Sequence, residues 1–283
     1  MLIKGWKYYN HAAVPVNQPH DKVNLVPIND GSIWNLTSES GDRPLLVSYI
    51  SDFDTSYETS YWYIIKDSPF VFEELSKKYQ RQILKVLERC EVKRIDPVTC
   101  FEDIYAVYKA AMRSYKTPDN ELTKTDFLAN IKQDGLEYWG AYNRLTGVLV
   151  GWMSCGNNGE WTETVTAKYH PDLQSFARPS DAIHYTILNY YLNELGQKYI
   201  CSGSRNINHK TNVQDYLIKN WKFRKAYCTL NVIYKPGINI VIKLLYPFRK
   251  LLHFFENITL VHQVYSLLKL EEISKDCKKY IKE

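Results

Sequence analysis

The sequence predicts a mixed α/β protein, and three observations lead there. Runs such as Glu160–Tyr169 and Ala226–Tyr234 alternate with the period of two that strands need, whereas Phe101–Tyr115 and Val213–Trp221 repeat their apolar residues at helical spacing. The two kinds of segment follow one another as two helices, three strands, helix, strand, helix, strand over residues 94 to 235. At 283 residues, 45 % hydrophobic and 24 % charged, the chain is long and apolar enough to bury one large core or two smaller ones.

From the N-terminus, residues 1 to about 42 read as irregular. Pro15, Pro19 and Pro27 and the Asn29-Asp-Gly31 turn break any long periodicity. Leu45–Ile50 and Tyr61–Ile65 are strand-like, with a polar turn over Asp52–Ser60 between them. Asp67 or Ser68 is expected to cap a helix over Val71–Cys90, with Phe72, Leu75, Tyr79, Ile83, Val86 and Leu87 as its buried side. Its other side, Lys77, Lys78, Arg81, Lys85 and Arg89, is a basic stripe, ordinarily a solvated face. After the strand Glu91–Ile95 come a helix on Ile104, Val107, Tyr108, Ala111 and Met112, and another that Thr123 or Thr125 starts and Gly135 stops. Glu137–Tyr142 and Val148–Ser154 form a hairpin, and the Asn157-Asn-Gly turn leads into the strand Glu160–Tyr169. Pro179 opens a helix to Leu195, and Gly196 ends it.

The stretch Lys198–Tyr234 carries most of the functional information. A short β-prone piece to Cys201 runs into small polar residues, Ser202 to Asn206. Val213, Tyr216, Leu217, Ile218 and Trp221 then form a helical stripe that Asn208 or Thr211 is placed to cap, and a strand closes the unit. A polar loop beyond the carboxyl end of a strand is where open α/β sheets bind ligands, although a plain connection has the same pattern. The tail, 237–283, alternates apolar and basic residues and is too broken by Lys243, Pro247, Arg249 and Lys250 to span a bilayer. It is expected to pack back on the core or to lie on an anionic membrane surface.

Composition excludes several classes. The six cysteines are scattered, with no C-x-x-C pair and no histidine at ligand spacing, so no metal site is expected. The N-terminus has no basic-then-apolar leader, which points to the reducing cytoplasm, with the inner face of the membrane as the variant. The net charge of +5 and pI near 8.7 suit an anionic ligand such as a coenzyme A, a nucleotide sugar, tRNA or an acidic membrane face, although a lysine-rich surface without a partner is the commoner source of such a balance.

The order of elements and the segment Lys198–Tyr234 resemble the GNAT acyl-CoA N-acyltransferase fold, and more narrowly its Fem-type aminoacyl- or acetyltransferase branch. Asn212 matches the Asn that opens the last helix of that family and Phe223 the Phe after it, while Lys222 replaces the usual Gly and Ile218 stands where the family has Tyr. Leu75–Lys85 with the strand after it resembles the entry to a second Fem-type half. The resemblance implies an N-terminal extension (1–93), a transferase core (94–235) and a helical tail (236–283). It implies transfer of an acyl or aminoacyl group to an amine of a small acceptor, such as a cell-envelope amino sugar or peptidoglycan precursor. The donor would be acetyl-CoA or another acyl-CoA, or aminoacyl-tRNA. A GNAT-shaped scaffold without turnover and a peripheral membrane protein are the alternatives.

In that family the donor arm enters between two parted central strands, which here correspond to Glu160–Tyr169 and Lys198–Ser202. Acyl transfer to an amine needs a base and donors for an oxyanion. Glu163 and His209 are the candidate bases. Arg178, Ser180, Ser202, Ser204, Arg205, Asn206, Asn212 and Tyr216 are the candidate donor-binding residues, with Arg205 suited to fork onto a carboxylate or phosphate. The family's glycine-rich phosphate loop is replaced by Gln174-Ser-Phe-Ala-Arg178-Pro179. Asp181 stands in the first turn of the helix after it. Its repulsion of a phosphate at close range, about 4 kcal/mol at an effective dielectric near 20, exceeds the roughly 0.3–1 kcal/mol that a helix end offers an anion, unless Arg178 offsets it.

Overall fold

In chain order the strands and the longer helices of the computed structural model are β1 (Trp6–Tyr9), β2 (Ala12–Pro15), β3 (Leu46–Thr55), β4 (Tyr61–Lys66), α1 (Lys77–Arg89), β5 (Cys90–Ile95), α2 (Phe101–Ser114) and α3 (Lys124–Ile131). There follow β6 (Leu136–Asn143), β7 (Leu149–Asn157), β8 (Trp161–Tyr169), α4 (Pro179–Leu188), β9 (Tyr199–Ser204), α5 (Val213–Trp221), β10 (Arg224–Tyr234), α6 (Ile238–Leu245) and α7 (Thr259–Lys279). The structure describes residues 1–16, 19, 21–115, 121–133, 135–173, 178–207, 212–252 and 259–279. The fold is mixed α/β, with parallel and antiparallel strand pairs. It divides into two compact units: Met1–Tyr63, Ser204–Thr211 and Lys225–Glu283 form the first, Ile64–Gly203 and Asn212–Arg224 the second.

In the first unit the strands run in the order β1-β2-β3-β10. The N-terminal stretch expected to be irregular holds a hairpin. Asn10 and His11 both take positive φ (45° and 61°), the two-residue turn whose twist suits paired strands, and they do so without a glycine. Trp6 and Ala13 of that hairpin are buried with Ile33, Leu36 and Val47. β3 runs on to Thr55, past the expected turn, with Asp52 and Asp54 at positive φ. The tail divides in two. α7 buries Leu268, Ile273 and Cys277, and its Leu267 carbonyl accepts from the Tyr234 hydroxyl at 3.3 Å. α6 buries Ile242 and little else.

In the second unit β5 to β8 form an antiparallel meander, and β9 joins β8 in parallel. Alternation along β6 and β7 sends neighbouring residues to opposite faces. Tyr138 and Trp152 join Ile104, Val107, Tyr108, Phe127 and Ile131 of α2 and α3, and the Trp152 indole donates to the Ile104 carbonyl at 3.1 Å. Gly151 and Trp139 face the other way. A Cβ on Gly151 would stand 2.9 Å from Pro179 Cβ, so glycine is what lets α4 seat closely on the sheet. Each large apolar side chain fully buried in these layers contributes about 1.5–3 kcal/mol.

Local signals set the helix ends. α1 begins at Lys77, later than expected, because Ser76 rather than Asp67 or Ser68 accepts from the Tyr79 amide. Thr123 caps α3 by accepting from Asp126. Pro179 opens α4, which passes into a π-helical turn over Asn189–Glu194 before Gly196 (φ 64°) ends it. Val213, expected within the buried stripe of α5, is 54 % exposed; Leu217 and Trp221 carry the burial.

Candidate functional site

β8 and β9 are paired only at Trp161–Tyr199, Thr162–Ile200 and Glu163–Cys201. Beyond that point β8 runs on to Tyr169 and β9 to Ser204 without pairing to each other. At the parting the Thr164 hydroxyl donates to the Ser202 hydroxyl at 3.1 Å, side chains bridging where backbones no longer do. On its other edge β8 carries a bulge: Thr166 pairs with Ser154 and Thr164 with Cys155, so Val165 has no partner on β7. A bulge bends and twists its strand, which here accompanies the divergence from β9. Gly203, at φ 78°, turns the chain at the far end of β9 in a conformation that favours glycine.

The parting opens a cavity of about 690 Å³ within the second unit. Glu163 to Ala167 and Tyr169 of β8 form one wall, and Ser202 and Gly203 of β9 another. Ser180 and His184 of α4, Asn212, Val213 and Tyr216 at the start of α5, and Tyr115 and Met153 complete it.

Three polar side chains on this wall differ in what they can do. His184 is 7 % exposed, stacks on Trp221, and has Nδ1 2.7 Å from the Ser180 carbonyl oxygen. A carbonyl only accepts, so in the neutral ring Nδ1 holds the proton and Nε2 the lone pair. Burial lowers the His184 pKa from its usual value, and the Ser180 carbonyl and the Asp181 charge partly oppose the shift. The ring is therefore a neutral acceptor at pH 7. The Tyr169 hydroxyl is buried and has no hydrogen-bond partner among the described residues. Burial raises its pKa well above the ordinary phenol value, so it remains an unused donor. The Tyr216 hydroxyl, by contrast, is committed: it donates to the Asp181 carboxylate and accepts from the Trp221 indole at 3.0 Å.

Asp181 is fully buried and is the hub of this side of the site. The Tyr79 hydroxyl donates to it at 2.8 Å, Gln82 Nε2 at 2.8 Å and Arg178 Nε at 2.6 Å. Burial, followed by the Asp181 charge, raises the Tyr216 pKa; burial, then Tyr216 and Asp181, raises that of Tyr79. The charge expected to repel a phosphate is thus offset by Arg178 and hydrogen-bonded from three further sides. The end of α4 is nonetheless a poor phosphate cradle. Pro179 has no N–H, and the amides of Asp181 and Ala182 turn to the Arg178 carbonyl, which leaves the Ser180 amide in that turn. The described residues do not fit a pyrophosphate held at this helix end.

Of the residues singled out in the sequence, Glu163, Ser180, Ser202, Asn212 and Tyr216 line this same cavity. Asn212 stands at the start of α5, where Asn208 or Thr211 had been expected to cap, and its side chain makes no capping bond. Arg178 is outside the lining and paired with Asp181. Ser204, Arg205 and Asn206 belong to the first unit. The Arg205 guanidinium stacks over Trp62, with Cζ 4.7 Å from the ring centre, and donates to the Ser60 carbonyl. His209, Asn208, Thr211 and the loop 174–177 lie outside the described residues. The residues that sequence reasoning missed are His184 and Tyr169. The spacing of Ser180 and His184, four apart on the helix opened by Pro179, was the available signal for the first.

A meander, a helix on one face, a parallel strand that parts from its neighbour and a helix starting at the gap are all present in the second unit. This is the order of elements that the GNAT resemblance implies. Among solved structures the chain is similar to FemX, at 8 % identity over 71 % of this chain and 74 % of that one, with a TM-score of 0.49. It is similar to L-PGS from Bacillus licheniformis, at 10 % identity over 82 % and 80 %, with a TM-score of 0.47. A GCN5-related N-acetyltransferase from Kribbella flavida gives 12 % identity over 80 % and 81 %, with a TM-score of 0.44. Likenesses at these values speak for no particular activity or substrate. No family model matches the chain, and no curated protein does.

Proposed function

We propose that the cleft between β8 and β9 takes the activated carboxyl end of an acyl or aminoacyl donor and that the protein transfers this group to an amine. The observation that carries the reading is the parting itself, which leaves a cavity lined by His184, a neutral imidazole, and by Tyr169, whose buried hydroxyl has no hydrogen-bond partner among the described residues. In this scheme an ammonium gives its proton to His184 Nε2 and the free amine adds to the donor's carbonyl carbon. Tyr169 donates to the oxygen that becomes negative, a role worth about 10²–10³ in rate for one well-placed donor. Collapse breaks the bond to the leaving alcohol or thiol, which takes up a proton as the amide forms. Glu163, on the cavity wall where strand pairing ends, is the second candidate to receive the ammonium proton.

An aminoacyl ester is favoured over a coenzyme A thioester, because the first turn of α4 retains so few amides for a pyrophosphate. The Fem-type resemblance supplies the acceptor class, an amino group of a small cell-envelope precursor. The net charge of +5 suits tRNA as the carrier, and such donors are made in the cytoplasm. Calorimetric titration with aminoacyl-tRNA, uncharged tRNA and acetyl-CoA tests the reading. Binding of the charged tRNA above the uncharged one, with mass-spectrometric detection of an amide product, is the expected result. Binding of none of the three by a fully folded protein would sink it in favour of a scaffold.

A further inference from the structure

Among the described residues no helix is long and apolar enough to cross a membrane, yet the first unit leaves one helical face uncovered. α6, the turn Tyr246–Phe248 and the short helix Arg249–Leu252 follow one another without a break, and Leu245, Tyr246 and Arg249 at the junctions all have right-handed helical geometry. Ile240, Val241, Leu244, Phe248 and Leu251 are between 49 % and 67 % exposed. At about 100° per residue, and about 120° through the 3-10 turn Tyr246–Phe248, they fall within an arc of about 140°, and Ile242, the buried residue, lies outside it. Single exposed leucines are ordinary; five large apolar residues on one stripe are not.

The charge around the stripe decides what covers it. Lys243 and Lys250, seven residues apart, flank the same edge of the stripe, and among the described residues neither has an acidic partner. Arg249 points the other way and pairs with Glu272 at 2.9 Å. From Lys225 to Phe255 the sequence contains no acidic residue. A second copy docked face to face would set this patch against itself, lysine near lysine. An acidic phospholipid surface instead accepts the apolar stripe among its acyl chains and the lysines at its headgroups.

We infer that the face formed by α6 and the turns after it docks on an anionic membrane surface, with Ile240, Val241, Leu244, Phe248 and Leu251 inserted and Lys243 and Lys250 at the headgroups. The face belongs to the first unit and owes nothing to the cleft chemistry of the second. Co-sedimentation of the full chain with vesicles of phosphatidylcholine, with and without phosphatidylglycerol, tests it. The expected result is binding to the phosphatidylglycerol vesicles alone, weakened by added salt. The double variant Leu244→Glu, Phe248→Glu is expected to abolish binding. Lys243→Ala with Lys250→Ala should weaken it about 10- to 30-fold, given the usual attraction per basic residue. All four sites are exposed, so circular dichroism should match the wild type, and the lysine pair keeps the test valid if the acidic pair misfolds. Equal binding to neutral vesicles, or wild-type binding by the lysine variant, would overturn the inference. A dimer in solution that the Leu244→Glu change splits would overturn it too, by assigning the face to a second copy.

Discussion

Tyr169→Phe should move stability and turnover in opposite directions. The hydroxyl it removes is buried and makes no hydrogen bond within the described protein. Leaving such a group unsatisfied costs about 1–3 kcal/mol in protein mutational data, so deleting it should stabilise the free protein by about 1 kcal/mol. The ring that stays behind keeps its place against Gly151, where an added Cβ would stand 2.8 Å from Tyr169 Cδ1. For a chain of this size 1 kcal/mol corresponds to a rise of about 2–4 °C in the thermal midpoint. If the hydroxyl is held in reserve for the donor's carbonyl oxygen, the same change removes one oxyanion donor and lowers kcat by about 10²–10³. Calorimetry of the free variant and single-turnover transfer measured together check both. A variant destabilised by more than about 1 kcal/mol would mean that the hydroxyl was partnered after all. Transfer within a few-fold of wild type would remove Tyr169 from the chemistry.

The packing beside and behind the cavity gives three further outcomes. Asp181→Ala strips the acceptor from Tyr79, Tyr216, Gln82 and Arg178, and should cost about 3–5 kcal/mol by urea unfolding; a loss below about 1 kcal/mol would deny the network. Gly151→Ala places a Cβ against both Tyr169 and Pro179, and should cost about 1–3 kcal/mol and shift Tyr169 in a crystal structure; an unmoved ring and an unchanged midpoint would contradict that packing. Burial depresses the His184 pKa, so the unfolded chain takes up this proton first as pH falls. The stability at stake is fully present above the unfolded value of about 6.5 and is lost as pH drops through the lower native value. Thermal midpoints followed from about pH 8 to 5 should fall less for His184→Asn than for wild type, and parallel curves would refute the assignment.

Much of this fold was legible because its signals are local. Pro179, Thr123 and Gly196 mark helix ends that sequence alone identifies, and strict alternation marks β8 and β10. The hairpin of β1 and β2 was not legible, since four-residue strands carry little periodicity and its turn uses Asn10 and His11 at positive φ where a glycine would have announced it. The site was legible where position alone decides, as for Glu163, Ser202 and Asn212 around a strand end. It was illegible where long-range partners decide. Asp181 looks like a charge that repels a ligand until Tyr79, Gln82 and Tyr216 close around it from both sides in sequence. Nothing local in the sequence tells that Trp62 lies beneath the Arg205 guanidinium. His184 counts as a neutral position in a helical pattern, and only burial with the Ser180 bond makes it a neutral acceptor.

Hydrogen exchange along β8 examines the parted strands most directly. In the free protein the amides of Thr164 to Tyr169 that point away from β7 should exchange quickly, while those at Trp161 to Glu163, still paired to β9, stay protected. Addition of aminoacyl-tRNA should slow the fast set. Uniform protection from Trp161 to Tyr169 before any donor is added would mean that the two strands are closed, with no room for an activated carboxyl group between them.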